Sequence, residues 1–264
     1  MKAGVNAKPF LPVERGNAAG RVLDDLQGRI LRAELARGDK LPTEKQLAEA
    51  YAVSGATIRE ATRALAAMHL VEVRHGSGAY VTADSAQLLA MSLNSLIQIE
   101  RISVPDVLGV LGVLNAHAAE LAAARADSQE VDAMQAALDR IASAAEPADV
   151  AAGLSDFLDH LGLASRNPLL AALCKFLAGL QIALAHEISK GSMKQWRETT
   201  GKLAADRQQL VNAIRAHDVQ AAQQHARTYH QRSVEIISAL PDASAARLSA
   251  EALGNLMGSF ARQP

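Results

Sequence analysis

Apolar positions recur along this chain with a helical period almost throughout, and the one place where the period changes is the most informative. Between Ala19 and Arg37, the positions Val22, Leu26 and Ile30, flanked by Leu23 and Leu31, keep the spacing of one helix face. Gly38 is placed to end that helix. Thr43 then caps a second helix, with Gln46 three residues on completing a capping box and Leu47, Ala48 and Tyr51 on its inner side. A third opens at Ser54, its natural N-cap, and carries Ile58, Ala61, Leu65 and Met68 at helical spacing. There the period drops to two. "LVEVR" and "AYVT" read as short strands joined by the glycine-containing connection "HGSG".

From residue 85 onward the pattern is helical again, with helices expected near 85–99, 104–126, 129–144, 148–165, 169–190, 193–216 and 219–239. Asp127/Ser128, Asn167 ahead of Pro168, and Asp218 supply caps. The short joints "AEP", "RNP" and "HD" suit antiparallel neighbours. The expected fold is therefore mainly α. A winged helix-turn-helix with a two-stranded wing occupies residues 19–82, and an antiparallel helical bundle occupies 83–240. Residues 1–18 read as a flexible arm and 241–264 as a loose tail.

Composition narrows the function classes. At 264 residues and 49% hydrophobic content the chain can build two packed domains. Aromatics are only 3%, so closely packed alanine-rich helices are expected. No uninterrupted apolar run reaches the roughly 18 residues needed to span a bilayer, and the N-terminus has no signal-like apolar segment. A membrane role is not expected. The single cysteine, Cys174, excludes an internal disulfide framework and suits the cytoplasm. Net charge is −1 overall, but residues 1–85 carry 12 Lys/Arg against 10 Asp/Glu, while 86–264 carry 15 against 18. The excess of cations lies at the front.

That excess includes Arg59 and Arg63 on the third helix, whose apolar anchor is narrow. A recognition helix in a major groove needs such an anchor, and small residues at its N-terminal end let the backbone approach the bases. Ala56 and Thr57 are small, and Thr57 and Arg59 can reach base edges or phosphates. Ser54 leaves the amide end of the helix facing a phosphate. Lys45 is placed to touch the DNA backbone, and the hairpin tip His75-Gly76 to enter the adjacent minor groove.

"GDKLPTEKQLAEAYAVSGATIREATRALAAMHLVEVRHGSGAYV", residues 38–81, closely resembles the GntR family of bacterial transcriptional regulators. That family's pattern runs G-d-x-L-P-[ST]-E-x-x-L-A, then V-S-R-x-x-[VI]-R-E-A-x-x-x-L, then a G-x-G-x-x-V wing. The resemblance carries the family's DNA contacts onto Lys45, Thr57, Arg59, His75 and Gly76. Two positions depart from it. Gly55 stands where an arginine usually follows V-S, and His69 where a glycine usually precedes the wing strand. Loss of that arginine removes a contact on the order of 1–3 kcal/mol if bidentate, so weaker or altered operator specificity is expected.

The helical region resembles the FadR-type subfamily, in which a helical bundle senses a small molecule. Many members hold a metal ion there on an aspartate and three histidines. The resemblance carries those positions onto Leu154, Leu158, Arg207 and Tyr229, none of which suits such an ion. No metal or other cofactor is expected. Asp156 and His160, four apart on one helix, are a rival ligand pair whose plain alternative is a solvent-facing pair.

Arg207 falls in the middle of the inner stripe Leu203, Leu210, Val211, Ile214; Tyr229 lies in line with Ala222, Ala226 and Ile236. An inward guanidinium requires an anionic partner. That partner is a carboxylate of this protein or the carboxylate or phosphate of an effector, unless Arg207 is a snorkelling, structural residue. Gly109, Leu111, Gly112 and Asn115 are expected to line a weakly polar cavity suited to an amphiphilic acid. Effector contacts are thus placed on Arg207, Tyr229, Asn115 and Leu158.

The leading expectation is a homodimeric transcriptional regulator, a repressor of a palindromic operator, that senses a small organic acid. The alternatives are a regulator that binds DNA constitutively, and a metal-dependent sensor using Asp156/His160. An enzyme is disfavoured: Cys174 sits on an apolar helix and reads as core, and no nucleophile elbow or phosphate loop is present.

Overall fold

The computed structural model describes residues 17–83, 85–189 and 192–239. Most of the expected arm and the whole of the tail at 241–264 lie outside the described residues. The chain divides after Leu88 into two compact units.

The front unit is built from α1 (Ala18–Leu31), α2 (Glu44–Tyr51), α3 (Gly55–Ala67), β1 (Val71–Arg74) and β2 (Gly78–Val81). Asn17 caps α1 through its side chain. Thr43 and Gln46 form the expected capping box on α2, and Ser54 caps α3. The strands pair antiparallel in the register Val71–Val81 to Arg74–Gly78, which makes the two-stranded wing. Val22, Leu26, Leu47, Tyr51, Ile58, Ala61, Leu65, Val71 and Val81 interlock as one core. Met68 is not on that inner face; it lies 42% exposed just past the end of α3.

Helix α1 is shorter than its periodicity suggests. It closes at Leu31, where Ala33 turns left-handed and the N–H groups of Glu34 and Leu35 both fold back onto the Arg29 carbonyl. Gly38 therefore ends no helix. Its positive φ starts a short run alongside β2, in which Gly38 N–H donates to Val81 O and Leu41 N–H to Ala79 O. His69, where the family pattern has glycine, also sits in the left-handed region, at φ 56. This explains why that pattern holds a glycine there.

The second unit holds α4 (Ser85–Ile99), α5 (Val104–Arg125), α6 (Ser128–Ser143), α7 (Pro147–Ala164), α8 (Pro168–Ser189), α9 (Met193–Lys202), α10 (Ala204–Arg215) and α11 (Val219–Ser238). The division between the units falls within α4. The joints are capped as read, by Asp127, by Asn167, whose side chain accepts the Leu170 N–H, and by Asp218. Helix α5 packs on α7, α8 and α11, α6 on α7 and α10, and α10 on α11. The expected single helix at 193–216 is instead α9 and α10, broken at Leu203.

One expectation about membranes needs correcting. Pro105–Arg125 and Pro168–His186 are each long and apolar enough to cross a bilayer, with hydropathies of 1.5 and 1.8. Both belong to bundle helices, and their inward residues, among them Leu111, Ala119, Cys174 and Leu180, fill the main core.

A polar joint ties α1 to α2. Tyr51 Oη donates to Asp25 Oδ2 at 2.6 Å, and Arg29 Nε donates to the same oxygen at 2.7 Å. Partial burial pushes the Asp25 carboxyl up, but these two donors and the Arg29 charge outweigh it and hold the pKa below its usual value. Tyr51→Phe should destabilise the protein by about 1.5–3 kcal/mol, the range for a hydrogen bond to a charged group, read by urea denaturation. Because the folded pKa of Asp25 is depressed, its contribution is present above the unfolded value and fades as the pH falls through the folded one. The cost of the substitution should shrink in the same window.

Candidate nucleic-acid interface and bundle interior

Only Ile58, Ala61 and Leu65 of α3 are fully buried, which leaves Ala56, Arg59, Glu60 and Arg63 exposed. The cap is a double contact: Ser54 Oγ accepts the Thr57 N–H at 3.2 Å and shares a hydrogen bond with Thr57 Oγ1 at 2.9 Å. The Thr57 hydroxyl is therefore already engaged, on a half-buried side chain. Arg59 and Arg63 face a groove of about 530 Å³ whose walls also include Lys40, Glu44, Thr62 and the wing glycine Gly76. Lys45, Ser54, Thr57 and His75 lie outside that lining. The Lys45 side chain is 87% exposed and only loosely near Glu49 at 3.9 Å. His75 and Gly76 form the exposed wing tip, where Gly76 has φ 71.

Two features of this surface escaped sequence reasoning. Arg59 Nη1 donates to Glu44 Oε1, an acid 15 residues away at the start of α2. A Cβ on residue 55 would stand 2.6 Å from that same Glu44 oxygen, the free end of a flexible side chain, which would have to shift to admit it. The second is Tyr80 of β2, with Arg74 Cζ at 4.8 Å and Lys40 Nζ at 5.8 Å from its ring centroid. It holds two cations at the foot of the wing.

Inside the bundle, Arg207 is 2% exposed. Its Nη2 donates to the Thr200 carbonyl at 2.7 Å, its Cζ lies 5.8 Å from the Tyr229 ring centroid, and Nη1 has no partner. Among the described residues no carboxylate pairs with Arg207, and a guanidinium buried to this degree does not snorkel. The adjacent Asp206 is taken by Arg232, at 2.8 and 2.7 Å. Tyr229 packs edge-on against Phe157, centroids 6.3 Å apart.

Leu154 and Leu158 are buried apolar side chains, and with Arg207 and Tyr229 they do not fit a divalent ion. Asp156 pairs with Arg140 at 2.8 Å instead of joining His160, and both members of that rival pair are half-exposed. Of the expected cavity residues, Leu111 and Asn115 are buried, with Asn115 Oδ1 unpartnered. Gly112 is covered by the His230 ring. Gly109 is not in the interior; it lies exposed on the outer side of α5. Burial pushes the pKa of the core thiol Cys174 up to about 12, the opposite of what a nucleophile needs.

The models of two families match this chain: "Bacterial regulatory proteins, gntR family" over residues 18–81 and "FCD domain" over residues 106–232. The HTH-type transcriptional regulator LutR of Bacillus subtilis (strain 168) is 30% identical over 189 residues, 71% of this chain and 86% of that protein. The chain belongs to the GntR family. Another GntR relative, the HTH-type transcriptional repressor NanR of Enterobacter sp. (strain 638), is 27% identical over 213 residues, 78% of this chain and 80% of that protein. A solved Streptococcus agalactiae GntR structure superposes with a TM-score of 0.63 at 26% identity, covering 81% of this chain and 97% of that one. This GntR protein is a DNA-binding transcriptional regulator with an FCD effector-binding domain, and not an enzyme.

The Glu44–Arg59 pair places a carboxylate beside the exposed cations of α3. Glu44→Gln should tighten binding to a selected operator several-fold and steepen the log–log salt dependence by up to about 0.9, the increment for one further phosphate neutralised. Fluorescence anisotropy from 50 to 300 mM salt reads both. Weaker binding with an unchanged slope would instead make Glu44 an aid to Arg59.

Proposed function

We propose that this regulator is a homodimeric repressor that binds a palindromic operator through residues 19–82 and responds to a small organic acid held by residues 83–240. The observation that carries the DNA half is the groove on which Arg59 and Arg63 of a narrowly anchored helix stand beside the wing glycine Gly76. In this reading α3 enters a major groove, with Arg59 at base edges and Arg63 and Lys45 at phosphates. The capped amide end behind Ser54 and Thr57 approaches the backbone, and His75-Gly76 reaches the neighbouring minor groove. Two-fold symmetry follows from the need to present two recognition helices one turn of duplex apart. The name of the Enterobacter relative supports repression. The cytoplasm is the compartment where such a protein meets its operator.

The effector half rests on Arg207 with Tyr229, whose ring centroid lies 5.8 Å from the guanidinium carbon. Leu158 and Asn115 are the other buried residues this reading assigns to the effector, and with Tyr229 they lie outside the lining of the groove that reaches Arg207. Binding there shifts the balance between a dimer geometry that spans both half-sites and one that does not.

The test uses the full chain and the DNA upstream of its own coding sequence in a gel shift, followed by anisotropy on the selected fragment. Arg59→Ala should cost about 1–3 kcal/mol, roughly a 5- to 150-fold loss, and relax preference at one base position. Arg63→Ala should weaken all sequences alike and flatten the salt slope by about 1. Unchanged affinity and slope in Arg59→Ala would end the assignment of this surface to DNA.

A further inference from the structure

We propose that the bundle takes a small monocarboxylate directly on the Arg207 guanidinium, with no divalent ion between protein and ligand. The inference rests on the effector reading above and assigns both its ligand class and its independence of metal.

The starting point is a buried charge with which no carboxylate among the described residues pairs. Arginine does not deprotonate in proteins, so burial cannot neutralise Arg207 by titration. A buried cation without an anion is strongly unfavourable. The nearest acid in sequence, Asp206, already holds Arg232 with both oxygens. Tyr229 offers only the face of its ring, and the Thr200 carbonyl only a neutral acceptor. These two contacts do fix the guanidinium. With Nη2 fastened to Thr200, Nη1 remains as a buried donor without a partner. A carboxylate oxygen supplies both the missing acceptor and the missing charge.

The surroundings select the acid. A groove of about 330 Å³ reaches Arg207 between α6, the start of α7, α9 and α10, at the small end of the range for ligand pockets. Leu138, Ile141 and Val150 give it apolar walls, and Thr200 and Gln208 are its uncharged polar groups. The two other charged residues of the lining, Asp139 and Arg197, are exposed and opposite in sign. They add no net charge. One buried cation thus faces an apolar groove, which matches one carboxylate on a short apolar chain. A dicarboxylate, citrate or phosphate would bring a second negative charge without a buried partner.

The divalent ion that many members of the resembled subfamily hold does not fit the same side chains. Leu154 and Leu158 offer no lone pair, and the guanidinium repels a cation at the place where its charge would sit. Arg207 performs the electrostatic task of the ion.

The test is thermal shift of the full-length protein with butyrate, hexanoate, succinate, citrate and inorganic phosphate. Each is run with EDTA and, separately, with added Mn²⁺ or Zn²⁺. Butyrate or hexanoate should raise Tm by a few degrees at saturation, equally in both conditions, and the multivalent anions should not. Arg207→Met should leave the ligand-free Tm unchanged or higher, since it removes an unpaired buried charge, and should abolish the shift. If that variant does not fold, Arg207→Lys, which keeps the charge but loses the fork, should weaken the response at least ten-fold. A shift that EDTA abolishes, one that persists in the Met variant, one larger for citrate or succinate, or no shift with any monocarboxylate overturns the proposal. Operator binding measured on the same samples separates the failures. Intact DNA binding without a carboxylate response removes this site and leaves the regulator standing, while a metal-dependent response to another acid leaves the effector reading standing.

Discussion

A helix that is to read DNA must be held by very little of its own surface, and the front unit is organised around that constraint. Three side chains, Ile58, Ala61 and Leu65, fasten α3 to the core. Their burial contributes on the order of 1.5–3 kcal/mol for each large one, so the platform beneath has to be rigid. It is made so by Val22 and Leu26 of α1, by Leu47 and Tyr51 of α2, and by the Asp25–Tyr51–Arg29 joint, which sets the two supporting helices against each other. The wing extends the same core through Val71 and Val81, and the short run at Gly38 to Leu41 pins β2 from its other edge.

The two arginines on which function turns are handled in opposite ways. Arg59 lies at the surface and is given a carboxylate, Glu44, that it does not need for stability: an exposed pair of this kind contributes about 0–1 kcal/mol. The pair's consequence is for recognition, because it cancels a charge where counterions would otherwise be released. Arg207 lies in the interior, where an anionic partner would matter most, and no carboxylate among the described residues pairs with it. A surface charge neutralised and a buried charge left open are both unfavourable arrangements for a folded monomer alone. Each becomes sensible when a ligand is added, a phosphate or base for the first and an anion for the second.

Much of this was legible in the chain because its determinants are local. Capping boxes, the change of period at the wing, and the inward position of Arg207 depend on residues within one or two turns of each other, and all three stand in the structure. The errors came where hydrogen bonding over longer reach decided the outcome. Periodicity carried the first helix on to Gly38, but the left-handed turn at Ala33 and the return of Glu34 and Leu35 to the Arg29 carbonyl had already closed it. Periodicity likewise ran through Leu203, because the inner stripe continues on both sides. The break there is tied to the inward arginine, whose Nη2 claims the Thr200 carbonyl at the end of α9. Glu44 was invisible as the partner of Arg59 because no local spacing connects positions 44 and 59; only the packing of α2 on α3 does.

The departure at Gly55 joins these threads. Replacing an arginine by glycine looks like a simple loss of one DNA contact, but it also removes a side chain from above the start of α3, and Glu44 fills the space. The Gly55 departure therefore removes one positive charge from a surface where the Glu44 carboxylate, itself part of the L-P-[ST]-E pattern, already pairs with Arg59. Under the proposed assignment, weaker operator binding would ease the demand on the bundle. A ligand that must shift an equilibrium from 99:1 to 1:99 needs about 5.5 kcal/mol of differential affinity, whereas a tenfold change in occupancy near the midpoint needs about 1.4 kcal/mol. A single guanidinium–carboxylate contact lies within reach of the smaller figure and not of the larger. A regulator with a softened grip on DNA can thus be governed by a site built from one arginine.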